Sequence, residues 1–135
     1  MNYFIEEAIK EAKKSLNTDD VPVGAIVVYN DEIIGYGHNT KEKQKMVTRH
    51  AEINALEMAC KKKKDWYLND CEMYVTLEPC QMCLYAIAQA RIKKVYYCTK
   101  KNPNELVKLP KLEKCTGTEI SKKLLSDFFK RKRGK

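Results

Sequence analysis

The amino-acid sequence predicts one α/β domain with helices on both faces of a mixed sheet. Its 135 residues, 44% of them hydrophobic, are enough for a single buried core. Residues 21–29 and 32–37 are rich in β-branched side chains, and the intervening Asn30-Asp31 step predicts a hairpin. Residues 73–98 predict strand, helix and strand, and so short a crossover makes its two strands parallel. A sheet that combines a hairpin with a parallel pair is mixed.

The first half of the chain adds two helices to the hairpin. Apolar side chains recur at helical spacing over residues 2–16, which predicts an amphipathic helix. Residues 38–49 are polar and irregular, and a second helix is predicted to begin at His50. The four lysines at 61–64 suit the negative end of that second helix.

The second half of the chain is organised around Pro79. The predicted third strand, residues 73–77, ends before this proline, which can then open a helix over residues 80–91. A fourth strand is predicted at 94–98 and a short fifth strand, at the sheet edge, near residues 112–115. The spacing predicts a terminal helix whose apolar stripe consists of Ile120, Leu124, Leu125, Phe128 and Phe129.

Composition narrows the class of protein before any motif is considered. The 26 Lys and Arg residues outnumber the 18 Asp and Glu residues, and the net charge of +8 attracts polyanions such as nucleic acid. Residues 1–10 do not resemble a signal peptide, and no apolar run is long enough to span a bilayer. We therefore expect a soluble cytoplasmic protein whose six cysteines are reduced, rather than a secreted disulfide scaffold.

Cys80 and Cys83 form a C-x-x-C pair at the predicted start of a helix. Unpaired N–H groups and the positive end of the helix dipole favour thiolates at this position. The spacing alone leaves open a redox pair, half of a structural zinc site, or two ligands of a catalytic metal. The four other cysteines stand singly, which disfavours a closed four-cysteine site.

His50 and Glu52 supply what a catalytic zinc site requires in addition to two thiolates. A zinc ion held by His50, Cys80 and Cys83 would leave its fourth position to water, whose pKa zinc lowers from about 15.7 towards about 7. Glu52 is then the candidate base. Residues two apart on a helix point about 200° apart, so His50 and Glu52 converge only if the ion lies over the helix N-terminus. We expect a structural role for His38, the other histidine.

Two motifs together carry a resemblance to a known family. His50-Ala51-Glu52 followed by Pro79-Cys80-Gln81-Met82-Cys83 is the H-x-E…P-C-x-x-C signature of zinc-dependent nucleoside and nucleobase deaminases. The stretches "DVPVGAIVV", "HAEINAL", "YVTLEPCQMC" and "LLSDFF" resemble bacterial tRNA adenosine deaminases of the TadA type. The resemblance implies a three-layer cytidine-deaminase-like fold with a mixed five-stranded sheet and one Zn²⁺ per subunit. It also implies a homodimer that converts the wobble adenosine of a tRNA anticodon to inosine.

The resemblance also implies roles for individual residues. His50, Cys80 and Cys83 would bind zinc, and Glu52 would carry protons. Alternative interpretations stay open: Asn39 is also typical of a turn that closes a strand, the two phenylalanines of core residues, and the basic run at 130–133 of a solvated tail. The residues expected to contact the substrate are Asn39, Ala51, Pro79, Phe128, Phe129, Lys130 and Arg131.

The segment from Thr99 to Thr118 departs from the family pattern. Lys101 stands near the place where the family has an aspartate that meets the nucleic-acid backbone, and no glycine lies between Gly37 and Gly117. This departure affects the predicted choice of substrate, and it does not affect the predicted metal ligands or Glu52. The alternatives are a deaminase of free cytosine, guanine or a nucleotide, a non-catalytic zinc-stabilised RNA-binding module, and a thiol oxidoreductase.

Overall fold

The computed structural model describes residues 2–103, 107–117 and 119–134. The chain divides into two compact units, Met1–Pro103 and Asn104–Lys135. The single domain predicted for residues 1–135 stays a prediction. The helices and strands of the first unit are α1 (Tyr3–Lys14), β1 (Gly24–Tyr29), β2 (Glu32–His38), α2 (Lys41–Gln44), α3 (Ala51–Lys63), β3 (Cys71–Leu77), α4 (Gln81–Gln89) and β4 (Val95–Thr99). The second unit contains α5 (Glu119–Arg133).

The sheet is mixed, as the sequence predicts, with the strand order β2-β1-β3-β4. β1 is antiparallel to β2 and β3, and β3 is parallel to β4, which confirms the crossover unit. The predicted fifth strand is wrong: among the described residues the sheet has four strands, and none covers residues 112–115. The stretch at 111–115 has Leu112 as its one large apolar side chain, and that side chain is exposed, so it lacks the apolar alternation of a half-buried strand.

Helices pack on both faces of the sheet of the first unit. Phe4 and Ile5 of α1 contact a small cluster on one face, built around Ile26 and Tyr74. α3 and α4 pack against the larger cluster on the other face of the sheet. The side chains that they bury in it include Ala51, Ala55, Leu56, Ala59 and Ile87. The small side chains let α3 approach the sheet closely.

The start of α3 lies directly against β2. A Cβ atom at Gly37 would lie 2.2 Å from the carbonyl oxygen of Ala51, which is closer than any real contact allows. Glycine at this position therefore permits the close approach, and Ala51 is fully buried. As a consequence, the strand fixes the position of the residues on either side of Ala51.

The terminal helix α5 shows the predicted helical stripe without the predicted burial. None of its residues is buried, and Phe128 and Phe129 are 42% and 52% exposed. The interpretation of these two residues as core side chains is therefore wrong for the described structure. Their rings contact each other edge to face, and the Arg131 guanidinium lies 5.7 Å from the centre of the Phe128 ring.

All six cysteines are free in the structure, and their reduced state in the cell stays a prediction. In the part of the chain that the structure describes, no helix is long and apolar enough to cross a membrane.

Candidate metal centre

The start of α3 resolves the geometric problem posed by His50 and Glu52. His50 is the N-cap of the helix and has an extended backbone, with φ −78° and ψ 156°. Glu52 belongs to the first helical turn. Since His50 precedes the helix, the 200° rule for helical neighbours does not apply to this pair. Both side chains can therefore face one ion that lies over the N-terminus of α3, as the sequence requires.

The start of α4 repeats this arrangement with sulfur ligands. Cys80 is an extended N-cap, with φ −72° and ψ 171°, and α4 begins at Gln81. The predicted start at Cys80 is thus one residue early, and the buried Pro79 precedes the cap instead of opening the first turn. Cys83 lies one turn into the helix and is fully buried. Both sulfurs consequently face the same helix end.

The three predicted ligands come together. The Nδ1 atom of His50 lies 3.7 Å from the Cys80 Sγ and 3.5 Å from the Cys83 Sγ. One ligand atom from each of the three residues lies within 4.8 Å of the others. A tetrahedral zinc site with bonds of about 2.0 and 2.3 Å separates nitrogen from sulfur by about 3.5 Å. The donor set and its spacing therefore fit one zinc ion.

Electrostatics also favour a divalent cation at this position. Burial, and next the charge of Lys41, lowers the pKa of His50, which keeps the imidazole neutral as a metal ligand must be. Burial raises the pKa of the Cys83 thiol, and the nearby carboxylate of Glu52 raises it further. Thiolates in this place need a neighbouring positive charge, which zinc supplies.

Glu52 is a buried carboxyl group beside the ligands. It is 4% exposed, and burial raises its pKa above the ordinary value for glutamate. A hydrogen bond with the Cys83 thiol acts in the opposite direction, though less strongly. A buried carboxyl group whose pKa lies above its ordinary value, next to the zinc ligands, is suited to accept and return a proton.

Asn39 is bound at both ends of its side chain. Its Nδ2 donates to the carbonyl oxygen of Val21 at 3.2 Å, and its Oδ1 accepts from the backbone N–H of Lys41 at 3.0 Å. These bonds match the turn interpretation and also hold the amide in a fixed orientation. Each polar atom retains capacity for one more hydrogen bond, so the turn role does not exclude a substrate contact.

The other expected substrate contacts differ in exposure. Ala51 and Pro79 are buried at the starts of the two ligand-bearing helices. Phe128, Phe129, Lys130 and Arg131 are exposed residues of α5 in the second unit.

Two groups of residues near the ligands were not assigned from the sequence. The Nζ of Lys101 donates to the carbonyl oxygen of Pro79 at 3.4 Å, and its backbone N–H donates to Glu78 at 3.2 Å. The sequence singles out Lys101 only as a departure from a pattern. Arg49 directly precedes His50. Its guanidinium donates hydrogen bonds to Asn54 and Glu57, which are both in α3. The Lys101 contacts join the segments that follow β3 and β4, and the Arg49 bonds run from the residue before the N-cap into α3. Local sequence specifies neither set of contacts.

Known proteins with related sequences share this site-bearing region. Residues 1–99 match the model of the cytidine and deoxycytidylate deaminase zinc-binding region. A protein of Aquifex aeolicus named tRNA-specific adenosine deaminase is 41% identical, with 97% of this chain and 95% of the relative covered. A Bacillus subtilis protein of the same name is 44% identical, and here the match covers 70% of this chain and 58% of the relative.

Solved structures give two similarities of different extent. A structure from a study of A-to-I editing by tRNA:A34 deaminases has a TM-score of 0.71 and 39% identity, covering 73% of this chain and 76% of that one. A guanine deaminase from Bacillus subtilis has a TM-score of 0.79 and 29% identity, with 94% of each chain covered. The ligand geometry, the matched residues and these relatives lead to one assignment. This chain belongs to the cytidine and deoxycytidylate deaminase family, whose zinc-binding region it contains.

Proposed function

We propose that this protein hydrolyses adenosine to inosine at the wobble position of a tRNA anticodon. The observation that carries the proposal is the buried Glu52 beside the His50, Cys80 and Cys83 group. This arrangement occurs in a chain that is 41% identical, over nearly all of its length, to a protein named tRNA-specific adenosine deaminase. Water and adenosine are consumed, and inosine and ammonia are formed.

The chemistry divides between a metal ion and one carboxyl group. His50, Cys80 and Cys83 would hold zinc, which when bound activates water for attack on C6 of adenine. Glu52 would accept a proton from the attacking water and pass it to N1 of the base. It would then take the remaining proton from the new C6 hydroxyl group and give it to the amine, which leaves as ammonia. Because Glu52 is buried, its proton is not readily lost to bulk solvent during these transfers.

Substrate binding is assigned to two sets of residues. Asn39, Ala51 and Pro79 would contact the extruded base, with Asn39 using the free capacity of its amide. In α5, Phe128 and Phe129 would contact bases of the anticodon loop, while Lys130 and Arg131 would contact phosphates. Bases of such a loop are partly unstacked, so extruding the target costs less than in a duplex. A tRNA substrate also implies a cytoplasmic location.

The oligomer is proposed to be a homodimer. α4, which carries Cys83, exposes Met82, Leu84 and Tyr85, of which Tyr85 is 71% exposed. Adjacent exposed apolar side chains on a helix favour burial against another subunit. Sedimentation equilibrium tests this proposal, and we expect the mass of two chains. The Tyr85→Glu variant should instead have mainly the mass of a single chain.

The decisive experiment for the reaction uses total tRNA. Purified protein with stoichiometric zinc is incubated with unmodified total tRNA, and the products are sequenced for adenosine-to-inosine changes. We expect inosine at wobble adenosines, and the Glu52→Gln protein serves as the matched negative control. Inosine formation would exclude a non-catalytic RNA-binding module. Unchanged tRNA in the presence of bound zinc would contradict the proposal.

Guanine deamination is the second candidate, and one observation favours it. The Bacillus subtilis guanine deaminase structure resembles 94% of this chain, whereas the A-to-I editing structure resembles 73%. Ammonia release from free guanine, cytosine and nucleosides should be compared with release from an anticodon stem-loop. Faster turnover of free guanine would select this second candidate.

A further inference from the structure

Three side chains outside the zinc ligands form a hydrogen-bonded group, called here the Arg49 cluster: Arg49, Asn54 and Glu57. The Arg49 Nη1 and Nη2 atoms bond the two carboxylate oxygens of Glu57 at 2.8 and 2.6 Å. Arg49 Nη1 also donates to the Asn54 Oδ1 at 3.1 Å. A two-point contact between planar groups fixes their orientation as well as their distance. The side chain of Arg49 is 17% exposed, whereas that of Glu57 is 47% exposed, so the contact lies at the surface with the guanidinium largely covered.

The cluster reaches the end of β2 through Asn54. The Nδ2 of Asn54 donates to the carbonyl oxygen of His38 at 2.8 Å and to the Thr40 Oγ1 at 3.1 Å. The backbone N–H of Thr40 donates in turn to the carbonyl oxygen of Arg49 at 3.0 Å. The loop that leaves β2 therefore returns to α3 through a closed set of hydrogen bonds.

This loop has a proposed functional residue at each end. Asn39 follows His38 directly, and His50 follows Arg49 directly. His50 itself has no side-chain cap bond to the first turn of α3, so the helix start does not hold its imidazole. The Arg49 cluster supplies side-chain bonds to the residues that flank both positions. Packing of Ala51 against Gly37 fixes the main chain just outside the two ends of this loop.

We propose that Arg49, Asn54 and Glu57 are positioning residues that set His50 for zinc and Asn39 for the substrate base. The inference deepens the proposed function, because it concerns the residues that hold that site in place. It assigns the three residues no contact with the reacting atoms. Their effect is on how tightly zinc binds and on how closely Asn39 and Glu52 approach the base.

The same helix provides a matched control at its other end. Lys63 bonds the carboxylate of Asp70 at 2.7 Å, and the two side chains are 21% and 43% exposed. The corresponding values for Arg49 and Glu57 are 17% and 47%. Each pair joins a residue of α3, Glu57 or Lys63, to a residue outside the helix. The exposed fractions of the side chains are similar in the two pairs. Only Arg49 adjoins a proposed zinc ligand, and Arg49 makes three side-chain bonds where Lys63 makes one to Asp70.

The test compares Arg49→Ala with Lys63→Ala. Zinc affinity is measured by competition with a chromophoric chelator in the absence of RNA, and the melting temperature of each variant is recorded. We expect Arg49→Ala to weaken zinc binding about tenfold and Lys63→Ala to leave it within about twofold. Arg49→Ala should lose more thermal stability than Lys63→Ala, because it removes more hydrogen bonds, so zinc affinity is compared at a temperature well below both melting temperatures. Equal zinc affinity in the two variants would overturn the proposal.

A second pair keeps the test usable if Arg49→Ala does not fold. Glu57→Gln and Asp70→Asn each remove one charge and preserve side-chain shape. We expect Glu57→Gln to weaken zinc binding severalfold and Asp70→Asn to leave it unchanged, and the reverse order would refute the positioning role. These measurements involve no tRNA. A protein that binds zinc as expected but leaves tRNA unchanged would contradict only the proposed function.

Discussion

The helix starts that carry His50 and Cys80 differ from the terminal helix α5 in burial and in charge. Around the helix starts, Glu52 and Cys83 are buried, and the ligand atoms lie within 4.8 Å of one another. In α5 no residue is buried, and four consecutive basic residues occupy its last turn. The first region fixes atoms in place, and the second presents charge to solvent.

This difference separates two requirements of the proposed reaction. The rate of proton transfer and the affinity for a metal both fall steeply when the participating atoms move apart. The residues that carry out these steps therefore need rigid surroundings. Attraction of a polyanion depends on charge over a Debye length of about 8 Å, which tolerates exposed and rotating side chains. Substitutions in the first region should therefore act on turnover and those in the second on binding.

Replacing a zinc ligand should give the largest effect. In Cys83→Ser the buried sulfur is lost from a three-ligand site, and the neutral hydroxyl is a poor zinc ligand. We expect zinc content to fall from about one per chain to near zero and activity to fall below detection. Metal analysis after dialysis measures the first quantity. Cys98→Ser, on the exposed part of β4, is the control that should keep both.

Glu52→Gln should abolish most turnover without removing the metal. The amide keeps the shape of the carboxyl group but cannot carry the proton, which predicts a loss in kcat of about 10²–10⁴-fold. Zinc content should remain near one per chain. Glu72→Gln, a carboxyl group in β3 that accepts from Tyr96, is the matched control and should turn over normally. Near-normal activity of Glu52→Gln would remove the catalytic assignment.

The basic end of α5 should affect binding rather than turnover. Changing Lys130, Arg131 and Lys132 to Gln is expected to raise the Kd for an anticodon stem-loop about tenfold or more, with kcat unchanged. The dependence of log Kd on log salt should flatten by about 0.7 for each phosphate that the variant no longer neutralises.

A matched variant separates local contacts from overall charge in this experiment. Changing Lys61, Lys62 and Lys64, exposed at the end of α3, removes the same number of positive charges. If α5 contacts the RNA, only the α5 variant should change the salt dependence strongly. The same slope in both variants would mean that net charge alone attracts the RNA.

The same two regions show what could be predicted from the sequence. The H-x-E…P-C-x-x-C signature, through the resemblance that it carries, predicts that His50, Glu52, Cys80 and Cys83 meet, and the local sequence specifies the helix start beside each pair. The periodicity of α5 predicts a helix equally well, but the burial predicted for Phe128 is wrong, since periodicity identifies an apolar face without identifying what covers it. The contacts of Lys101 join the segments that follow β3 and β4, so they depend on tertiary packing, and the bonds from Arg49 into α3 depend on side-chain orientations that the local sequence does not specify.

Cysteine labelling provides the mildest test, because cysteines of different burial lie in the two compact units. Burial, and next a hydrogen bond to Asp70, raises the pKa of Cys71 to about 11, whereas Cys115 of the second unit is exposed. A rise from 9.0 to about 11 lowers the thiolate fraction of Cys71 roughly a hundredfold at pH 7.5, and burial also restricts access.

With zinc bound, a maleimide at pH 7.5 should therefore react fast with the exposed Cys98 and Cys115 and slowly with Cys71. Cys115→Ser should remove one fast site, and unfolding in a chelator should make all six cysteines reactive. Because its folded pKa is raised, Cys71 stays protonated in the native state, so the folded state should lose stability as the pH rises from about 9 through 11. Equal labelling rates for Cys71 and Cys115 would contradict the difference in burial between these two cysteines.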